Sequence, residues 1–220
     1  MRPLVRYRRS GHSQRMTQID PIAVLTGDIV ESTSLGRDRL ESVFAALEDA
    51  AEELSLWQEA DPKLTRFRGD GWQLVVMRPT IALRAALFLR AAIRRHGRDL
   101  DTRISIGTGA VDALPDGDLS GASGSAFVSS GRGLDQIRKT ARIASDGSGP
   151  LRAATLLADT LTRGWSPAQA AVAYYALNPD RPTQSEIGEA VGSSQQNVQK
   201  VMEAAHLPDI LTALNALETA

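Results

Sequence analysis

Lys63-Leu64-Thr65-Arg66-Phe67-Arg68-Gly69-Asp70-Gly71-Trp72-Gln73-Leu74-Val75-Val76-Met77 is the stretch on which the fold turns. Its first six residues alternate, Asp70-Gly71 supplies a turn, and Trp72 to Met77 is a strand-like apolar run. Together they read as a β-hairpin. Upstream, Pro21 precedes Ile22-Ala23-Val24-Leu25-Thr26, an apolar run of strand length. Between that run and the hairpin, Leu40, Val43, Phe44, Leu47, Ala50, Ala51 and Leu54 recur at helical spacing from Arg37 to Trp57. Downstream, Pro79 to Arg95 reads as an amphipathic helix opened by Pro79 and Thr80. Arg103 to Val111 alternates as a strand. A Gly/Asp/Ser-rich loop from Asp112 to Ser123 follows, then a helix expected from Ser125 to Ala144.

The order β-α-β-β-α-β is the split βαβ arrangement of ferredoxin-like folds, so the fold class is α+β. In that topology the first and third strands are antiparallel neighbours at the centre of the sheet. The end of the first strand then lies beside the hairpin turn. Asp28, in Val24-Leu25-Thr26-Gly27-Asp28-Ile29-Val30-Glu31-Ser32-Thr33, occupies the first place and Asp70 the second. Two carboxylates at one sheet edge can hold divalent cations, because hard oxygens suit Mg²⁺ or Mn²⁺, and two-metal phosphoryl chemistry is built this way. The plainer alternative is that Asp28 caps a helix and Asp70 only makes a turn.

A 42% hydrophobic and 23% charged composition over 220 residues describes an ordinary globular chain long enough for a sizeable core. A formal net charge of -1 argues against general polyanion binding, so any nucleic-acid contact is local. There is no cysteine, which excludes disulfides, thiolate metal sites and cysteine nucleophiles and fits a cytoplasmic location. His12, His96 and His206 fall in separate segments and form no ligand cluster. No apolar stretch approaches the roughly 20 residues of a membrane span. Arg2, Arg6, Arg8, Arg9 and Arg15 open the chain without an acid or an apolar core, so no signal peptide is expected in this segment. Residues 1–20 are expected to be a disordered basic arm, with Met16 as an alternative start.

Ser145-Asp146-Gly147-Ser148-Gly149-Pro150 is a linker by composition, dividing residues 21–144 from a helical unit over 151–220. Helices are expected over Leu151–Thr162, Ser166–Leu177 and Pro208–Leu217. Thr183-Gln184-Ser185-Glu186 is a capping box for a helix through Val191. Gly192-Ser193 turns the chain and Ser194 caps a helix running to about His206. This pair reads as a helix-turn-helix in which Ser194, Gln195, Gln196, Asn197, Gln199 and Lys200 face the major groove of DNA. Against strong binding, Arg142 to Ala220 carries five bases and eight acids, a net of 5 − 8 = -3. Phosphate contacts supply most DNA affinity, so a single copy should bind weakly and a dimer better. A helical bundle that only packs on the first unit is the alternative.

Three stations between Ile22 and Ala144 resemble the class III nucleotidyl cyclases. They are Gly27-Asp28-Ile29-Val30 with Ser32-Thr33, then Gly69-Asp70-Gly71, then Arg103-Ile104-Ser105-Ile106-Gly107-Thr108-Gly109 followed by Gly124 to Arg132. The whole chain is more similar still to the SatD-like proteins, which join a Gly-Asp-x-x-Gln station (Gly69 to Gln73) and a Gly-x-Ala-Phe helix to a C-terminal helix-turn-helix. The resemblance implies Asp28 and Asp70 as metal ligands and Arg132 as the arginine that stabilises the transferring phosphate. It further implies that the backbone of Ile29, Val30, Glu31, Ser32 and Thr33 cradles the phosphates of a nucleoside triphosphate. Arg66 falls where cyclases carry a purine-reading lysine, and Arg132 would come from a second, head-to-tail protomer. Two departures stand out. Val128 occupies the place of the ribose-orienting asparagine, and no acid lies in Ser120–Ser123 to partner Arg66. Loss of one orienting polar group costs a factor of about 10²–10³ in rate. The expectation is therefore a homodimeric regulator with a degenerate, metal- and nucleotide-binding cyclase-like domain and a DNA-binding tail. An active cyclase is the alternative, and a purely assembling module the third reading.

Overall fold

The structure, a computed structural model, describes residues 21–219 except 62, 68 and 138. The basic segment 1–20 lies outside the described residues. Strands β1 (Ile22–Ile29), β2 (Thr65–Arg66), β3 (Gly71–Val76), β4 (Thr102–Gly109) and β5 (Ile143–Ser145) form one sheet in the order β2-β3-β1-β4-β5. β1 is central and antiparallel to both β3 and β4, while β5 joins β4 in parallel. The first four strands thus have the split βαβ arrangement that the sequence order predicts. Helices α1 (Ser32–Leu35), α2 (Arg37–Gln58), α3 (Ala82–Arg94) and α4 (Ser125–Gln136) connect them, and α5 (Gly149–Thr162) follows β5. The chain continues as α6 (Pro167–Ala176), α7 (Gln184–Val191), α8 (Gln195–Ala204) and α9 (Leu207–Glu218).

Strand alternation sorts the sheet into two faces. Ala23, Leu25 and Ile29 of β1 join Trp72, Leu74, Val76, Ile104 and Ile106 beneath α2 and α3. Ile22, Val24 and Val75 pack with Ala126 and Phe127 of α4 on the opposite face. That second face changes character along its length, because Thr26 and Asp28 follow Ile22 and Val24. Gly107 lets α4 approach: a Cβ there would stand 2.3 Å from the Ser130 nitrogen and 2.4 Å from the Ala126 oxygen.

Two expectations need correction. The helix expected to run to Ala144 ends at Gln136, and Ile143–Ser145 is a strand. Its backbone is anchored from outside the sheet, since Asp159 Oδ1 accepts from the Arg142 and Ile143 amides at 2.7 and 2.9 Å. Secondly, α3 is not amphipathic in its setting, for every residue from Ala82 to Ile93 is buried. Its arginines are enclosed because they are paired. Arg84 (3% exposed) donates to Leu177 O, Asn215 Oδ1 and both Glu218 oxygens. Arg90 (1% exposed) grips Asp101 with two hydrogen bonds and donates to Thr162 and Arg163 carbonyls. α3 therefore has α2 and the sheet on one side and the C-terminal helices on the other, within one hydrophobic core. Phe88 of α3 illustrates this, lying 4.4 Å from the Trp57 ring of α2 and 4.5 Å from the Tyr174 ring of α6.

Candidate functional site

At one end of the sheet the strand register gathers the carboxylates. Asp28 is paired with Gly71 on one side and Arg103 on the other. Asp70 is one residue beyond the last β1–β3 pair, in a turn that Gly69 makes with φ +88°, and its carbonyl accepts from the Ile29 amide at 3.2 Å. The sequence-predicted pair thus shares one sheet end. Ser32, opening α1, donates its hydroxyl to Asp70 Oδ2.

Sequence reasoning missed Arg103. Cross-strand partners point to the same face, so its guanidinium meets Asp28: Nε donates to Oδ1 at 2.8 Å and Nη2 to Oδ2. Hydrogen bonding to Asp28 raises the Arg103 pKa above its ordinary value, against a smaller opposing effect of burial, and Asp70 adds attraction. The signal was available in the register: with β1 antiparallel to β4, position 28 faces position 103.

The shelf beneath is polar and ordered. Thr102 Oγ1 donates to the Asp28 carbonyl at 2.7 Å and accepts from the buried Trp72 indole at 3.1 Å. Gly27 is required there, since a Cβ would stand 2.4 Å from the Trp72 ring. On the α4 side Gln73 donates to Thr26 Oγ1 at 3.0 Å, and Thr26 and Ser130 hydroxyls are 2.7 Å apart.

For Mg²⁺ or Mn²⁺ the donor chemistry is suitable, with two carboxylates and a hydroxyl as hard oxygen ligands. Arg103, however, already holds both Asp28 oxygens, and among the described residues no three His, Cys, Asp or Glu side chains gather as a metal-binding group. The Arg103 side chain is 34% exposed.

The other expected nucleotide contacts are distributed differently. The Ile29 and Val30 amides are consumed by Asp70 and Asp101 carbonyls at 3.2 and 3.0 Å, which removes both from a phosphate cradle. Glu31, in the left-handed region at φ 52°, Ser32 and Thr33 are left at the turn. Arg66 is opposite Trp72 in register and so lies on the α2 face, away from Asp28. There it pairs with Glu41 at 2.8 Å and covers the Phe44 ring at 3.7 Å. Arg132 is exposed on α4 and makes no hydrogen bond or ion pair among the described residues, so one chain does not bring it to either carboxylate. Val128, one turn before it, is 57% exposed.

In the tail, Thr183 and Glu186 form the expected capping box and Ser194 caps α8 by accepting from the Asn197 amide. The connection is tight at Gly188, whose carbonyl accepts from the Ser193 amide at 2.7 Å. Val198 is buried and anchors α8. Ser194, Gln195, Gln196, Asn197, Gln199 and Lys200 are all exposed, and the glutamines do not turn inward against the sheet.

No protein-family model matches this chain, and no curated protein does. Among solved structures, the guanylyl cyclase Cya2 superposes with a TM-score of 0.43 at 17% identity, covering 57% of this chain and 74% of that one. The active GGEEF domain of a diguanylate cyclase from Vibrio cholerae gives a TM-score of 0.42 at 14% identity, covering 59% and 85%. Among the described residues no helix is long and apolar enough to cross a membrane.

Proposed function

We propose that this chain is a two-part regulator, in which residues 21–144 bind a nucleotide with Mg²⁺ or Mn²⁺ and a helix-turn-helix in the tail reads DNA. The exposed polar surface of α8 carries the reading: its cap Ser194 and five polar residues of the helix stand clear of the protein, and Val198 secures the helix from below. Glutamine and asparagine can pair bidentately with adenine edges. In the sheet domain Asp28 and Asp70 would hold the ion, which when bound neutralises phosphate charge. Arg103 holds both Asp28 oxygens; with a cation on Asp28 it would be available to face a phosphate. Ser32 donates to Asp70, and Arg132, exposed on α4, would reach a nucleotide held by another copy. Val128 offers no hydrogen bond to a ribose, so binding without appreciable turnover is the expected outcome.

Selection from random DNA at low salt, using the full chain, tests the tail. An enriched sequence is expected, and Gln196→Ala should lose about 1–3 kcal/mol at one base position. No enrichment refutes DNA reading. Titration calorimetry with each common nucleoside triphosphate and Mg²⁺ or Mn²⁺ tests the sheet domain. Binding abolished by Asp70→Asn is expected, whereas rapid product formation abolished by the same change would make the protein a working cyclase.

A further inference from the structure

Among the described residues, nothing packs against the outer surface of α5. Ala153, Leu156, Leu157, Thr160 and Leu161 recur at i, i+3, i+4, i+7 and i+8, the pattern of a helix face that packs against something. Yet all five are exposed, and Leu156, Leu157 and Leu161 are 58%, 68% and 39% accessible. The inner face of the same helix is occupied separately, by Thr155, Ala158, Asp159 and Thr162. Leu157 and Leu161 of the stripe also wall a cleft of about 370 Å³ between α5 and α9, floored by Leu83, Ala158, Ile210 and Leu214. α9 lies antiparallel to α5: Leu217 shares a recess with Leu151, and Asp209 borders the cleft with Leu161.

We infer that this face is the interface of a two-fold dimer, with a second copy of this chain as its occupant. The stripe carries protruding leucines and, within a helical turn, an apolar cleft able to receive such side chains. Knob and hole on one surface satisfy an isologous contact, in which each copy inserts into the other. No charge interrupts the stripe, and Asp209 stands at the border of the cleft; homodimer interfaces are the more apolar class. The area agrees. Three leucines and their flanking alanines expose on the order of 300–400 Å² per copy, as large as the largest patches of monomers. Two such patches with their polar rims approach the roughly 1,000 Å² at which specific interfaces begin. Dissociation at micromolar rather than nanomolar concentration follows. This surface is on a different element from Asp28, Asp70 and α8, so the inference stands independently of the nucleotide and DNA readings.

Sedimentation velocity of the full chain over a range of concentrations tests it. A monomer–dimer equilibrium is expected in the micromolar range, and Leu157→Glu should weaken it at least 100-fold. Leu157 is mostly exposed in the single chain, so the variant's circular dichroism and melting should match the parent's, which separates lost association from lost folding. Leu56→Glu, at a leucine 71% exposed on α2, should leave the dimer intact. A parent chain monomeric at 100 µM would overturn the inference. So would a dimer indifferent to Leu157→Glu, or one that forms only after removal of residues 1–20, which would assign the cleft to that segment.

Discussion

Replacing Arg90 with methionine removes a buried cation while keeping most of the volume of its stem. Arg90 spans the boundary between α3, the sheet end and α5. It donates to Asp101 Oδ1 and Oδ2 at 2.7 and 3.0 Å, to the Thr162 carbonyl at 2.8 Å and to the Arg163 carbonyl at 3.2 Å. Breaking a buried pair from one side costs about 3–5 kcal/mol, since the other charge is left without its partner. Here Asp101 keeps Arg142 at 3.1 Å and the Thr102 amide at 3.0 Å, so the lower end of that range applies, about 3 kcal/mol. For a chain of this size that is a fall of roughly 6–12 °C in melting temperature. Urea unfolding followed by circular dichroism at neutral pH measures it, together with Asp101→Asn and the double variant. Because both single variants break the same contact, the double variant should cost at least 1 kcal/mol less than their sum, by order of magnitude. A loss below about 1 kcal/mol for Arg90→Met, or strict additivity in the cycle, would refute the assignment of this pair as the clasp between sheet and tail.

Gly107→Ala drives a methyl group into the α4 backbone, where neither the Ser130 nitrogen nor the Ala126 oxygen can yield; a loss of about 3 kcal/mol by chemical denaturation is expected. Thr183→Ala removes the α7 cap and should cost about 1 kcal/mol, whereas Thr183→Ser retains most of it. Burial, followed by the charge of Arg95, lowers the His96 pKa below its ordinary 6.5. The unfolded chain then binds the proton more readily, so this stability is present above pH 6.5 and is lost as pH falls through the folded value. His96→Gln should flatten the decline in urea midpoint between pH 7.5 and more acidic solution, and an unchanged slope would contradict the direction of that shift.

What the sequence disclosed follows from the range of the forces involved. β1, β3, β4, α2 and the tail helices announce themselves through local periodicity and caps, and the hairpin then fixes which strands are neighbours. The placement of Asp28 and Asp70 at one sheet end followed from that topology. β5 was not legible, because three residues carry no periodicity and the Asp159 carboxylate that anchors them comes from the next helix. The burial of Arg84 and Arg90 was not legible for a related reason. A charged face on a helix normally signals solvent, and only the distant carboxylates and carbonyls make burial tolerable. Arg103 required the β1–β4 register, a non-local quantity. Arg66 was assigned from its position in a motif, whereas Glu41 and Phe44 decide where its side chain lies.

The enclosure of α3 sets a timetable for synthesis. The strands and helices up to Ser145 leave the ribosome first, at a stage when half the surface of α3, with two arginines and several leucines and alanines, has nothing to lie against. Docking of α6 and α9 must await completion of residues 151–219. Until then the nascent sheet carries an open apolar flank of the kind chaperones hold. The last part of the chain therefore acts on the first as an internal folding partner, and truncation near the glycine-rich segment at 147–149 should leave a fragment that aggregates rather than a free-standing sheet domain.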